Sequence, residues 1–273
     1  MNRACRLTLL LLVCFIPACM PQQYTLLESR VMDVLNPQSI HVQVDHGEVV
    51  IVGTQEQQVQ VGGQVLHPDE LEYQVSATED QISIKVNAQR FRLSNAHLRV
   101  EVRVPQGTQV KVETNSASVF VSNYRGDLEV ASTAGNLTVE HTIGRITLRS
   151  NRGNITVLES IGTISVVGNY GLLNLKNVHG ETGVSTIMGN IVFGGLIQQG
   201  DTIRLETDHG SVSVNLNQNS ALGIQVRSTS GDVICMVAGL TTTTRTCDGD
   251  FQSAGGALSI RTVSGAVTVK LTP

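Results

Sequence analysis

Residues able to do chemistry are scattered through a nine-residue repeat within residues 122–273, so what they can do depends on how that repeat winds. Cutting a polysaccharide takes two carboxyl groups within ~5–10 Å of each other, and Asp127, Glu129 and Glu181 are acids carried inside the repeated units. A metal centre would draw on His179 and His209, with Glu181 and Asp208 close to them in sequence. A third set is basic: Arg125, Arg149, Arg152, Lys176, His179 and His209. Aligned on one edge, these six would attract anionic glycans or lipid headgroups by electrostatics.

The elements that would position these side chains are short strands. Glycines fall at Gly126, Gly135, Gly144, Gly153, Gly162, Gly171, Gly180 and Gly189, nine residues apart. Each opens the same pattern of glycine, any residue, apolar, any residue, apolar. Across these units only Thr182 breaks the apolar slots. Alternation at period two means one wet face and one buried face, and a recurring glycine marks a turn or a place with no room for a side chain. One such strand cannot bury its apolar face alone, whereas identical units stacked on each other can. The composition agrees: Gly is frequent (26), Pro scarce (6), aromatics 3% and Trp absent, a profile of strands and tight turns. The chain is therefore an all-β protein, a β-solenoid built from nine-residue units.

Arg125, Arg152 and His179 recur every 27 residues, as do Ala134, Ile161 and Met188, and Ser122, Arg149 and Lys176. Like following like at every third unit predicts a three-sided coil of 27 residues, with a two-sided coil of 18 residues as the alternative. On the longer coil Asp127 stacks with Asn154 and Glu181, and Glu129 with Thr156 and Gly183, which builds no carboxylate pair. No catalytic residue, no cofactor and no metal ligand is expected. Calcium-binding nonapeptide rolls use Gly-Gly-x-Gly-x-Asp, whereas these units carry one glycine followed mostly by Asn, Thr or Arg. The six basic residues would line one edge as a candidate anion-binding stripe. The competing reading is that exposed charge there only blocks edge-to-edge aggregation. With no Trp and with Tyr124 and Tyr170 isolated, sugar recognition by aromatic stacking is not expected.

The N-terminus reads as an export signal. Arg3 and Arg6 precede an apolar run from Leu7 to Ile16, too short at 1.5 Å per residue to cross a bilayer core of ~30 Å. Ile16-Pro17-Ala18-Cys19 resembles a bacterial lipobox, which places a lipid on Cys19 and the protein outside the cytoplasm, anchored to a membrane. Loss of the signal takes the formal charge from −4 to −6, which gives no reason to expect nucleic acid. Cys235 and Cys247 then remain as a pair able to oxidise in that compartment, the alternative being two free thiols. The expected organisation is a signal peptide at 1–18, a tether of little structure at 19–38, β-rich leading coils or a cap at 39–121, and regular solenoid repeats at 122–273.

The run Leu98-Arg99-Val100-Glu101-Val102-Arg103-Val104-Pro105-Gln106-Gly107-Thr108 resembles the putative-adhesin domain family of prokaryotic surface proteins, whose function is unknown. That family shows an alternating strand, Val-Pro-x-Gly, a second strand and then serial Ser-Gly-(Asp/Asn)-apolar units. Ser230-Gly231-Asp232-Val233 and Ser264-Gly265-Ala266-Val267 match, while Ala117 stands where a glycine is expected. The likeness spans residues 38–270 and implies an extracytoplasmic β-solenoid with no catalytic residues to carry over. The function expected is a non-enzymatic, surface-anchored interaction module meeting a cell-envelope glycan or protein. The alternatives are a polysaccharide-active β-helix enzyme and an accessory or sensor part of an envelope-stress system.

Overall fold

The computed structural model describes residues 25–32, 39–66, 71–88, 98–252 and 255–273. The expected signal peptide and Cys19 lie outside the described residues. Among the described residues every regular element is a strand, and all these strands belong to one hydrogen-bonded sheet folded back on itself into two walls.

Backbone pairing sets the coil length. Leu128 lies over Ile146, Ile146 over Ile164, and Leu137 over Ile155, so each coil advances by 18 residues. The protein is a β-solenoid, as the repeat predicts, but its coil is two-sided and the expected three-sided, 27-residue coil is corrected. Two nine-residue units suffice because each contributes one wall. Leu128, Val130, Ile146 and Leu148 point inward from the front wall, while Leu137, Val139, Ile155 and Val157 point inward from the back, and all are buried in one core. Thr182, the exception in the sequence pattern, occupies its apolar slot at 1% exposure.

Along the front wall the strands run Leu71–Ala77, Gln81–Ala88, Ser39–Val44, Gln109–Thr114, Leu128–Ser132 and Ile143–Arg152. The first halves of Ile161–Lys176 and His179–Gly195 follow, then Thr202–His209, Gly256–Ser264, Leu222–Ser228 and Thr246–Phe251. The back wall repeats this order with Thr25–Met32, Val59–Val65, Leu98–Pro105, Glu48–Thr54 and Ser118–Ser122, and ends with Val212–Asn217, Val267–Thr272 and Val233–Met236. Both ends are therefore interleaved. The coil formed by residues 39–54 sits between those formed by 81–105 and 109–122, and the last coil, 256–272, sits between 202–217 and 222–236. Regular stacking at 18 residues already holds between Gln109–Thr114 and Leu128–Ser132. The expected boundary at 121/122 does not divide the stack.

Side chains link the two walls at both ends. At the N-terminal end the Arg30 side chain lies 5.7 Å from the Tyr73 ring centroid and donates to the Val75 carbonyl at 3.4 Å. At the other end a disulfide joins Cys235 of the back wall to Cys247 of the front. Thr25–Met32 falls within the stretch expected to be a loose tether, yet it is a strand paired with Val59–Val65. That expectation is corrected, and the reason is physical: the strand pairs its backbone with Val59–Val65 and packs Leu27 and Met32 against the core.

Candidate functional site

The two-sided coil disperses the expected basic stripe. Arg125 lies beneath Ile143 and Ile161, with His179 above them, on the edge where the chain passes from back wall to front. Arg152 stacks with Tyr170 and Met188 on the opposite edge, and His209 pairs with Ser264 there. Arg149 stands on the front wall between Ala131 and Val167, and Lys176 on the back wall between Leu158 and Gly194. The six side chains occupy two edges and two walls, so the single anion-binding edge is corrected.

His179 and His209, expected to share a corner, are on opposite edges. The acid partner of His179 is neither Glu181 nor Asp208 but Asp201, with Nδ1 and Oδ2 3.0 Å apart. Asp201 is buried and also accepts the Gly180 N–H at 2.7 Å and the Gln198 N–H at 2.9 Å. The longer turn after Gly195 brings this carboxylate into place, and its hydrogen bonds hold the turn. Among the described residues no group of three or more His, Cys, Asp and Glu is placed to hold a metal ion. Asp127 and Glu181 are separated by Arg145 and Thr163 in one row, three steps of ~4.8 Å and so about 14 Å. Glu129 stands between Lys111 and Thr147. Neither arrangement matches the carboxyl spacing of glycoside hydrolysis.

Three groups escape a reading of the sequence. The first is an acid network on the outer front wall. Glu113 meets Lys111 Nζ at 2.7 Å, Gln43 Nε2 at 3.1 Å and His41 Nε2 at 3.1 Å. The Lys111 and Gln43 contacts dominate, His41 adds to them, and together they hold the carboxyl down to about 2 against a smaller opposing effect of burial. Gln43 and Glu113 are 70 residues apart in sequence, so no local signal could reveal the pairing.

The second group is a row of buried hydroxyls at the last inward slot of the front wall, including Thr114, Ser132, Ser150, Thr186, Thr207 and Ser228. Ser132 Oγ accepts the Gly135 N–H at 2.7 Å and Ser228 Oγ accepts the Gly231 N–H at 2.8 Å. Ser132 and Ser228 thereby anchor the turns that carry Gly135 and Gly231. The third is the asparagine after the glycine. Asn136 Oδ1 accepts the Asn154 N–H, Asn154 Oδ1 the Leu172 N–H and Asn190 Oδ1 the Ser211 N–H, each at 2.9 Å. The Gly-Asn motif is thus a coil-to-coil bond. Tyr124 is also no surface residue: it is buried, its hydroxyl donates to the Thr108 carbonyl, and burial raises its pKa.

Two flat walls, stacked glycine turns and motif residues engaged in holding coils together describe a structural repeat. The Toastrack DUF4097 family matches residues 38–270, most of the chain. The chain belongs to the Toastrack DUF4097 family. Among solved structures, a protein of Bacteroides fragilis named "putative adhesin" aligns with a TM-score of 0.52 and 14% identity, covering 90% of this chain and 97% of that one. A Parabacteroides distasonis protein of the same description aligns at 0.42 and 10% identity, over 91% and 98%. Another from that species, named "putative lipid binding protein", aligns at 0.44 and 11%, over 89% and 96%. The Bacteroides structure shares the fold of this Toastrack chain. Among curated proteins none matches it.

Proposed function

We propose that this Toastrack protein is a non-enzymatic interaction module held outside the cytoplasm by a lipid on Cys19. The observation that carries the reading is the pair of walls. Their outward side chains stand on a rigid lattice with steps of ~4.8 Å, and the backbone beneath them is engaged in neighbouring coils. Such a surface displays side chains at fixed spacing, and the grooves described on it are open to solvent, whereas a reaction that excludes water needs an enclosed chamber. The adhesin name of the Bacteroides relative supports the same class of role. The partner favoured is a component of the cell envelope, a glycan or a protein.

Two experiments test this. The chain with Cys19→Ser should move from the membrane fraction to the soluble fraction, and unchanged fractionation would remove the lipid anchor from the proposal. The purified protein should bind at least one of a panel of cell-wall glycans and envelope proteins. Failure across the panel, with the protein folded, would overturn the interaction role.

A further inference from the structure

Several asparagines of this protein bond from one coil to the next, and others do not. Those on the edge where the chain passes from front wall to back, Asn136, Asn154 and Asn190, use Oδ1 to bond the next coil. Those around an open groove of about 430 Å³ on the outer back wall do not. Asn174 and Asn177 make no side-chain hydrogen bond among the described residues. Asn215 Oδ1 is buried and lacks a hydrogen-bond partner. Asn217 accepts the Asn219 N–H at 2.9 Å through Oδ1 and keeps its amide N–H groups free.

The groove exists because one side chain is missing. The outward row Lys176, Gly194, Asn215, Lys270 has its gap at the glycine. Unlike the stacked glycines of the edges, Gly194 is not required by the fold. A Cβ there would meet only the Asn215 carbonyl oxygen at 3.8 Å and the Asn215 Cβ at 3.9 Å, ordinary contact distances. Lys176 borders the groove, is exposed and has no ion-pair partner among the described residues. Val192 and Leu196 add an apolar wall, Thr272 and Pro273 complete the far side, and no acidic side chain lines it.

Free amides offer donors and acceptors side by side, which suits a ligand rich in hydroxyl groups. A lysine with no ion-pair partner among the described residues suits an anionic one, and Lys270 continues the row about 14 Å from Lys176, three steps of ~4.8 Å away. We propose that this groove binds a short stretch of an anionic, hydroxyl-rich glycan, with Lys176 against the anionic group and the asparagine amides against hydroxyls. The assignment rests on the interaction role proposed above and gives it a site and a ligand class.

The test is calorimetric titration of the full chain in mild detergent with polygalacturonate, dextran and inorganic polyphosphate. Polygalacturonate should bind, and dextran and polyphosphate should bind far more weakly. Lys176→Gln and Gly194→Leu should each weaken binding about tenfold, the effect of losing one charge-assisted hydrogen bond or of filling the site. Thermal melting checks that Gly194→Leu is folded, and Asn174→Ala replaces it if it is not. Equal binding of dextran would refute the anionic preference, and equal binding of polyphosphate would refute recognition of hydroxyls. Unchanged affinity in the variants would refute the site. If polygalacturonate fails while another envelope component binds, this assignment falls and the interaction role stands.

Discussion

Gly153 lies directly over Gly135, so close that a methyl group on the upper residue would collide with the carbonyl oxygen of the lower. Gly171 stands in the same relation to Gly153, and Gly189 to Gly171. On the opposite edge Gly144 is placed likewise over Gly126, and Gly162 over Gly144. The nine-residue beat of glycine is therefore two vertical files of backbone-on-backbone contact, one along each edge. Gly153→Ala should cost about 2–3 kcal/mol, in the range of overpacking a tight core. A methyl group on Gly183 would meet nothing within 4 Å, and the backbone there is not left-handed, so Gly183→Ala should change stability by no more than about 0.5 kcal/mol. Urea unfolding of the two variants checks the contrast, and equal effects would contradict the stacking.

The alternation of wall faces makes a second test. Val157 is fully buried and its neighbour Thr156 faces outward. Val157→Asp places an unpaired carboxylate in the core and should cost several kcal/mol, in the range of about 3–5. Thr156→Asp should stay within about 0.5 kcal/mol. Thermal melting distinguishes them.

The strands, their buried faces and the solenoid itself are legible in the sequence because they are local: apolar slots and glycines announce themselves within nine residues. The coil length is not, for a physical reason. Both edges need glycine, so the most regular residue in the chain is blind to which edge it occupies. The 27-residue pattern rests on Arg125 and Arg152, which are exposed, and on His179, which is half-buried against Asp201, and no contact repeated from coil to coil constrains the three as a set. The constrained ones carry the right period: Asn136 and Asn154, 18 apart, each accept a backbone N–H of the next coil, and Thr114, Ser132 and Ser150 fill the same buried slot at the same interval. Left-handed backbone at residues other than glycine also marks a single edge of the central coils, at Asn123, His141, Glu159 and Asn177. The Glu113 network and the interleaved end coils join segments far apart in sequence, and nothing in a local pattern encodes them.

Glu113 gives the protein a pH signature. Its carboxyl is lowered from the ordinary 4.5 to about 2, chiefly by Lys111 and Gln43. A depressed folded-state pKa contributes stability that is present above the unfolded value and lost as pH falls through the folded one. The gap in stability between the wild type and Glu113→Gln should therefore be open near neutral pH, shrink as pH drops from about 4.5 to about 2, and vanish below that. Because the Glu113 side chain is 39% accessible, the gap should stay within the ~0–1 kcal/mol of surface ion pairs. Denaturant midpoints measured across this range check the sign, and a gap that widens on acidification would contradict the network.

The disulfide acts on an end whose order in space differs from its order in sequence. Leu222–Ser228 and Val233–Met236 are laid down before Gly256–Ser264 and Val267–Thr272, yet the later pair lies between them and the regular stack. Until the last coil arrives, residues 222–251 have no strand of the stack to pair with. Cys235 and Cys247, 12 residues apart and on opposite walls, hold that unit together as a preformed lid. Closing a loop of this size is worth up to ~3 kcal/mol on the chain-entropy account. Replacing both cysteines with alanine should thus loosen the end selectively. Amide exchange should speed up in 222–251 and in the last coil, which loses its outer neighbour, while the Leu128–Ser132 and Ile155–Leu158 strands keep their protection. Uniformly faster exchange along the whole stack would mean that the end unit and the central coils unfold as one, and the lid would lose its separate role.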